Sequence, residues 1–187
     1  MMKLAVFCGS HAGHDAVFTD AAIALGKALA DQDIELVYGG GKVGLMGEIA
    51  NAVMQHGGVV TGVIPEALKQ KELAHTGITR LHVVDDMHQR KNMMASLSDG
   101  FIAMPGAAGT LEEFFEVWTW AQLGYHQKPC AILNVNGFFD PLIEMMQKVV
   151  AHGFMRDAHL DMIIISQDPA EILRQMKEYK APGTKWS

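Results

Sequence analysis

Short apolar runs rich in β-branched residues recur along the whole chain and alternate with longer stretches whose apolar residues fall at helical spacing. That alternation is the mark of repeated βαβ units closing on a parallel sheet. It predicts a doubly wound α/β fold of about seven strands, at Lys3 to Cys8, Glu35 to Tyr38, Val59 to Ile64, Leu81 to Val84, Phe101 to Met104, Cys130 to Leu133 and Met162 to Ile165, with helices filling the gaps. A chain of 187 residues, 49% hydrophobic and 19% charged, buries a core without a disulfide or metal staple. No tract has the composition of a linker, so one domain is expected over 1–187, with only Ala181 to Ser187 as a loose tail.

In an open parallel sheet the ligand crevice lies beyond the carboxyl ends of the strands. The loops that follow the expected strands are rich in special backbone positions: Gly9 to Gly13, Gly39-Gly40-Gly41, Pro65-Glu66, Asp85-Asp86, Pro105-Gly106 and Asn134 to Gly137. Some of these glycines serve only the turn. Together they direct attention to one edge of the molecule.

The loop Pro105-Gly106-Ala107-Ala108-Gly109-Thr110 runs into a helical pattern that starts near Gly109 or Thr110. Small residues let a ligand approach the backbone, and the first N–H groups with the positive dipole end suit a phosphate. The bland alternative makes Thr110 an ordinary N-cap. At about 100° per residue, Leu111, Phe114, Phe115, Val117, Trp118 and Ala121 share one face of this helix, opposite Glu112, Glu113 and Glu116. Trp120 and Leu123 fall on the polar side, which points to a subunit contact and a homodimer.

The segment after the fourth strand contains Asp86 and Gln89 at capping-box spacing, so a helix begins near Met87. On it Arg90 falls in the middle of a face shared by Met87, Met93, Met94 and Leu97. A guanidinium placed there needs an anionic partner, either an internal carboxylate or a substrate, unless its stem snorkels to solvent. The methionines serve equally well as core or as pocket walls.

A formal charge of −6 excludes a general affinity for nucleic acid, which needs clustered cationic excess. The first apolar run, Leu4 to Cys8, is too short to span a bilayer and has no basic leader, so a soluble cytoplasmic protein without a membrane partner is expected. Cys8 and Cys130 read as buried, reduced core thiols. His11 and His14 have no third ligand at metal-site spacing, and no metal is expected. Gly39, Gly41 and Gly44 satisfy a dinucleotide glycine pattern, with Glu66 about 22 residues on. The pattern follows the second strand instead of the first, and no sequence is left for a substrate domain. No P-loop sequence occurs.

Three motifs in order resemble a known family. Pro105 to Glu113 resembles the PGGxGTxxE signature of the LONELY GUY phosphoribohydrolases, Met87-His88-Gln89-Arg90-Lys91 their MHxRK segment, and Gly39 to Gly47 their GGGxxGLMG loop. Cys8-Gly9-Ser10 and Trp120 to Gly124 fit as well, and the likeness covers nearly the whole chain. Members have often carried the label lysine decarboxylase, but no residue set here suits pyridoxal phosphate chemistry.

The resemblance implies a Rossmann-like homodimer, without cofactor, that hydrolyses the N-glycosidic bond of cytokinin riboside 5'-monophosphates, and often of AMP, to free base and ribose 5-phosphate. By the same likeness Arg90 and Glu113 are the catalytic pair, and Gly106, Ala107, Ala108, Gly109 and Thr110 hold the phosphate. Glu72, Lys91 and Glu112 complete the substrate shell. One departure stands out, since Ala107 replaces the second glycine of PGG. If that position takes a positive φ, alanine strains the loop by roughly 1 kcal/mol and its methyl crowds the phosphate. A carrier of nucleotide or molybdenum cofactor on the same scaffold is the alternative reading.

Overall fold

The computed structural model describes residues 1–183. Seven parallel strands form a single sheet in the order β4-β3-β2-β1-β5-β6-β7. They are β1 (Lys3–Phe7), β2 (Glu35–Tyr38), β3 (Val60–Pro65), β4 (Arg80–Val84), β5 (Gly100–Ala103), β6 (Cys130–Leu133) and β7 (Ile163–Ser166). Each expected strand is present, with ends shifted by a residue or so. The helices are α1 (Ala16–Asp31), α2 (Gly44–Gln55), α3 (Met87–Leu97), α4 (Ala108–Leu123), α5 (Asp140–Ala151), the short α6 (Asp157–Leu160) and α7 (Pro169–Glu178). Residues 184–187 of the expected loose tail lie outside the described part.

Alternation along the strands divides the core into two layers. Leu4, Val6, Leu36, Tyr38 and Ile102 pack under α1, α2 and α7, whereas Ala5, Phe7, Val37, Phe101 and Ala103 pack under α3, α4 and α5. The order reverses between β1 and β5, so the switch-point crevice opens between the loops after those two strands.

One gap is not filled by a helix. Between β3 and β4 the chain makes a single 3-10 turn at Glu66–Leu68 and then runs as an irregular loop to Thr79. The segment Lys69 to Gly77 has no apolar residues at helical spacing, and so nothing to bury a helix against the sheet. Edge strand β4 is correspondingly exposed at Arg80 and Val83, half-buried at Leu81 and His82, and buried only at Val84. The loop instead folds up to the carboxyl edge, where it meets the crevice.

The opposite, amino edge carries a buried carboxylate. Glu35 opens β2 and is 3% exposed. Its Oε1 accepts from Thr61 Oγ1 at 2.7 Å and Arg80 Nη2 at 2.7 Å, and Lys3 Nζ lies 3.6 Å from Oε2. Parallel register brings the four strand starts together, pairing Lys3 with Glu35 and Thr61 with Arg80. Burial alone would raise the Glu35 pKa, but the Thr61 hydroxyl and the Arg80 and Lys3 cations together hold it below its ordinary 4.5.

A carboxylate with a depressed pKa stabilises the fold above its unfolded value and loses that contribution as pH falls through the folded one. Glu35→Ala is expected to lower the unfolding free energy in urea at pH 7 by about 2–3 kcal/mol, leaving Thr61 and Arg80 without their acceptor. The deficit relative to the unaltered protein should shrink as pH falls below about 4. A deficit independent of pH would show that packing, not charge, is what Glu35 supplies.

Candidate active site

The crevice beyond β1, β2, β3 and β5 is half open and has about 530 Å³ of empty volume. Arg90, Glu72 and Glu113 supply its charged lining, and Ala107, Gly109 and Thr110 form the wall at the start of α4.

Arg90 stands one turn into α3, whose first turn is fixed by Asp86. The Asp86 carboxylate accepts from Gln89 N–H at 2.8 Å, while the Gln89 amide oxygen takes the N–H of Asp85 at 3.1 Å, one residue before the expected partner. From there the guanidinium crosses under the sheet edge and is 4% exposed. Its Nε donates to Val63 O at 3.1 Å, and Nη2 donates to Gly39 O at 2.6 Å and to Glu72 Oε2 at 3.0 Å. Nη1 makes one weak contact, with Met87 Sδ at 3.7 Å, and is the nitrogen left for a ligand.

The glycine loop after β2 makes this burial possible. A Cβ on Gly39 would stand 2.1 Å from Arg90 Nη2, and one on Gly41 would meet Met46 Cε at 2.8 Å. Of these glycines, which resemble a dinucleotide fingerprint in spacing, Gly39 serves to admit the arginine and Gly41 to admit Met46. Glu66, the acid of that pattern, is exposed and pairs with Lys69 at 3.3 Å.

Helix α4 begins at Ala108, a residue or two before the expected start, and its N-cap is Ala107, which makes no side-chain cap. Thr110 is therefore not an N-cap; it is 6% exposed and lines the crevice. The first helical bond runs from Leu111 N–H to Ala107 O at 3.2 Å, so the amides of Ala108, Gly109 and Thr110 precede the ladder. An uncapped, exposed helix start of small residues is a seat for an anion. A Cβ on Gly109 would meet nothing within 4 Å, whereas one on Gly106 would collide with Thr110 Oγ1 at 2.1 Å. Gly106 thus holds the turn closed against Thr110, and Gly109 leaves its side open.

The strain expected at Ala107 is absent. Its φ is −98° and its ψ −157°, extended backbone that alanine adopts freely. Ala107 does line the crevice.

Glu113 lies on the sheet side of α4's polar flank, walled in by the crevice and not among solvated side chains. Burial raises its pKa to about 7, with Glu112 and Glu72 adding to the rise and Arg90 and Lys91 opposing it. Near neutral pH it therefore exists in both protonation states. Lys91 and Glu112, expected in the substrate shell, are instead paired with each other, and Lys91 Nζ also lies 3.1 Å from Glu116 Oε2. They tie α3 to α4 at the rim and do not line the crevice.

Four lining residues were not singled out for the site by sequence: Cys8, Ser10, Met46 and Leu68. Cys8, expected in the core, is 9% exposed and its thiol pKa is pushed up by burial and by Glu113, so it forms an inert wall. Ser10 lies in the Gly9 to Gly13 loop that the sequence places at this edge, although no ligand contact is assigned to it there. Of the three candidate methionines only Met87 reaches the crevice; Met94 is core, with Met93 packed against it. A second hollow beyond Gly106, bounded by His11, Phe18, Leu45 and Phe138, is nearly all apolar and holds none of the carboxylates or Arg90. Among the described residues no group of three or more His, Cys, Asp or Glu is arranged to hold a metal ion, and no helix is long and apolar enough to cross a membrane.

Residues 46–176 match the family described as possible lysine decarboxylase. A probable cytokinin riboside 5'-monophosphate phosphoribohydrolase of Oryza sativa subsp. japonica is 47% identical over 190 residues, covering 98% of this chain and 85% of that protein. The cytokinin riboside 5'-monophosphate phosphoribohydrolase of Rhodococcoides fascians is 48% identical over 167 residues, covering 89% and 84%. Among solved structures, the molybdenum cofactor binding protein of Rippkaea orientalis superposes with a TM-score of 0.71 at 20% identity, covering 95% of this chain and 96% of that one, a likeness that shows the fold alone. By its motifs, its crevice and these relatives, the chain belongs to the LONELY GUY family of phosphoribohydrolases.

Proposed function

We propose that this protein hydrolyses nucleoside 5'-monophosphates, cytokinin riboside monophosphates and AMP, to free base and ribose 5-phosphate. The observation that carries the reading is a buried, three-way anchored Arg90 and a carboxyl that titrates near neutrality, Glu113, lining one crevice with the uncapped start of α4.

The phosphate sits on the backbone amides of Ala108, Gly109 and Thr110, with the Thr110 hydroxyl beside them and Gly106 and Ala107 shaping the turn. The ribose then lies over Arg90 and Glu113. Cleavage moves the electron pair of the C1'–N bond onto the base, leaving an oxocarbenium-like centre that ionised Glu113 stabilises while it orients or deprotonates the attacking water. The water oxygen bonds to C1', and a proton passes to the departing base. Arg90 Nη1 counters the negative charge growing near that base. Glu72 fixes Arg90, and the Lys91–Glu112 pair stiffens the rim.

We place the enzyme in the cytoplasm as one domain acting within a homodimer. Two unpaired buried thiols, Cys8 and Cys130, fit a reducing compartment. Half-buried Trp120 and Leu123 with the 76% exposed Tyr125, at the end of α4, favour a second copy over solvent.

Incubation with AMP, isopentenyladenosine 5'-monophosphate and adenosine, with free base and ribose 5-phosphate quantified, tests the reading. Base release from the monophosphates alone is expected, and Arg90→Ala or Glu113→Ala should each lower kcat by about 100-fold or more. Tight nucleotide binding by calorimetry without turnover would make the protein a carrier instead. Because ionised Glu113 is the working form, kcat/KM should rise with pH through a limb near 7. The limb should vanish from the residual activity of Glu113→Gln; its persistence there would assign it to another group.

A further inference from the structure

Glu72 reaches Arg90 from the segment 66–79, which after the 3-10 turn at Glu66–Leu68 has no regular element to hold it in place. Backbone contacts dock its tip on the glycine loop. Ala74 forms an antiparallel bridge with Gly41, Lys42 N–H donates to Leu73 O at 2.9 Å, and His75 N–H donates to Gly40 O at 2.8 Å. Between them Leu73 takes a φ of +46°, a left-handed conformation that a leucine keeps only when its surroundings impose it.

Among the described residues, three side chains of 66–79 make hydrogen bonds to other elements. Glu72 bonds to Arg90, His75 bonds to Asn51 of α2, and Thr79, at the loop's far end, accepts from Val60 N–H of β3 and donates to Met54 Sδ of α2. The His75 ring is 8% exposed, with Nε2 2.8 Å from Asn51 Oδ1 and Nδ1 accepting from Gly77 N–H at 3.2 Å. One neutral tautomer, protonated on Nε2, satisfies both contacts. Burial, and then the Lys42 ammonium of the glycine loop, disfavour the charged ring.

We infer that His75 is a positioning residue: by clamping the 66–79 loop to Asn51 it sets the Glu72 carboxylate against Arg90 and so orients the guanidinium. The inference rests on the hydrolase reading of the crevice. It differs from a general packing role because the effect of His75 passes through one carboxylate three positions away. Removing the ring leaves the backbone bridge but frees the strained Leu73 turn to relax, and Glu72 moves with it.

A double-mutant cycle with an independent structural readout tests this. His75→Ala and Asn51→Ala should each lower kcat/KM for AMP by about tenfold, His75→Gln, which keeps a donor for Asn51, should retain most of it, and neither Ala change should cost more in a Glu72→Gln background. Hydrogen exchange at the Lys42 and His75 amides should quicken in His75→Ala, with α5 and α7 unchanged. If His75→Ala fails to fold, Asn51→Ala breaks the same contact from α2 and carries the test. Losses that add fully in the Glu72→Gln background, or unchanged exchange at Lys42 and His75, would overturn the inference. The exchange readout needs no turnover, so absence of base release from both AMP and isopentenyladenosine 5'-monophosphate in the unaltered protein would sink the hydrolase reading and leave the clamp to be judged by exchange.

Discussion

The carboxyl edge of this protein is organised around one buried guanidinium. An arginine 4% exposed is tolerated only if its charge and its donors are met, and Arg90 meets them with the carbonyls of Val63 and Gly39 and the carboxylate of Glu72. Each partner comes from a different element, so β2, β3, α3 and the 66–79 loop converge on one side chain. The local chemistry follows from that demand. Gly39 has no side chain because Nη2 occupies the space, the β3–β4 connection forgoes a helix so that Glu72 can arrive, and Asp86 fixes where α3 begins.

Both cations at the site are already engaged by carboxylates before any ligand enters. Arg90 is matched by Glu72, and Lys91 by Glu112 and Glu116. A phosphate therefore finds its attraction in the amides and dipole at the start of α4. In that setting Glu113 is the carboxyl without a dedicated cation, which is why burial lifts its pKa to about 7. The stabilising ion cluster of Glu35, Thr61, Arg80 and Lys3 sits at the far, amino edge. Stability and chemistry are thus assigned to opposite ends of the same strands.

Much of this was legible in the sequence because it is governed by local rules. Strands β1 to β7 follow from apolar runs, α3 from Asp86 and Gln89, and the inward direction of Arg90 from its place among Met87, Met93 and Met94. What escaped is set by tertiary geometry. The backbone angle at Ala107 depends on how the turn closes over Gly106, and no residue identity reveals that φ is negative. The glycines at 39 and 41 look like a cofactor loop until an arginine 51 residues away is found against Gly39. Lys91 and Glu112 carry the right types for a substrate shell, yet lie close enough to neutralise each other. His75 reads as one of nine scattered histidines, and only the folded loop shows both of its ring nitrogens in use.

The central claim is that the fixed position of the Arg90 guanidinium makes the crevice catalytic, and Gly39→Ala tests it without replacing any side chain proposed to meet substrate. The added Cβ would stand 2.1 Å from Nη2, so the guanidinium must leave its seat on Gly39 O. AMP turnover should fall by about 100-fold or more while the protein stays folded by circular dichroism and still binds nucleotide, since the α4 amides are untouched. Turnover within about twofold of the unaltered protein would contradict the account, because a displaced Arg90 would then be shown not to matter.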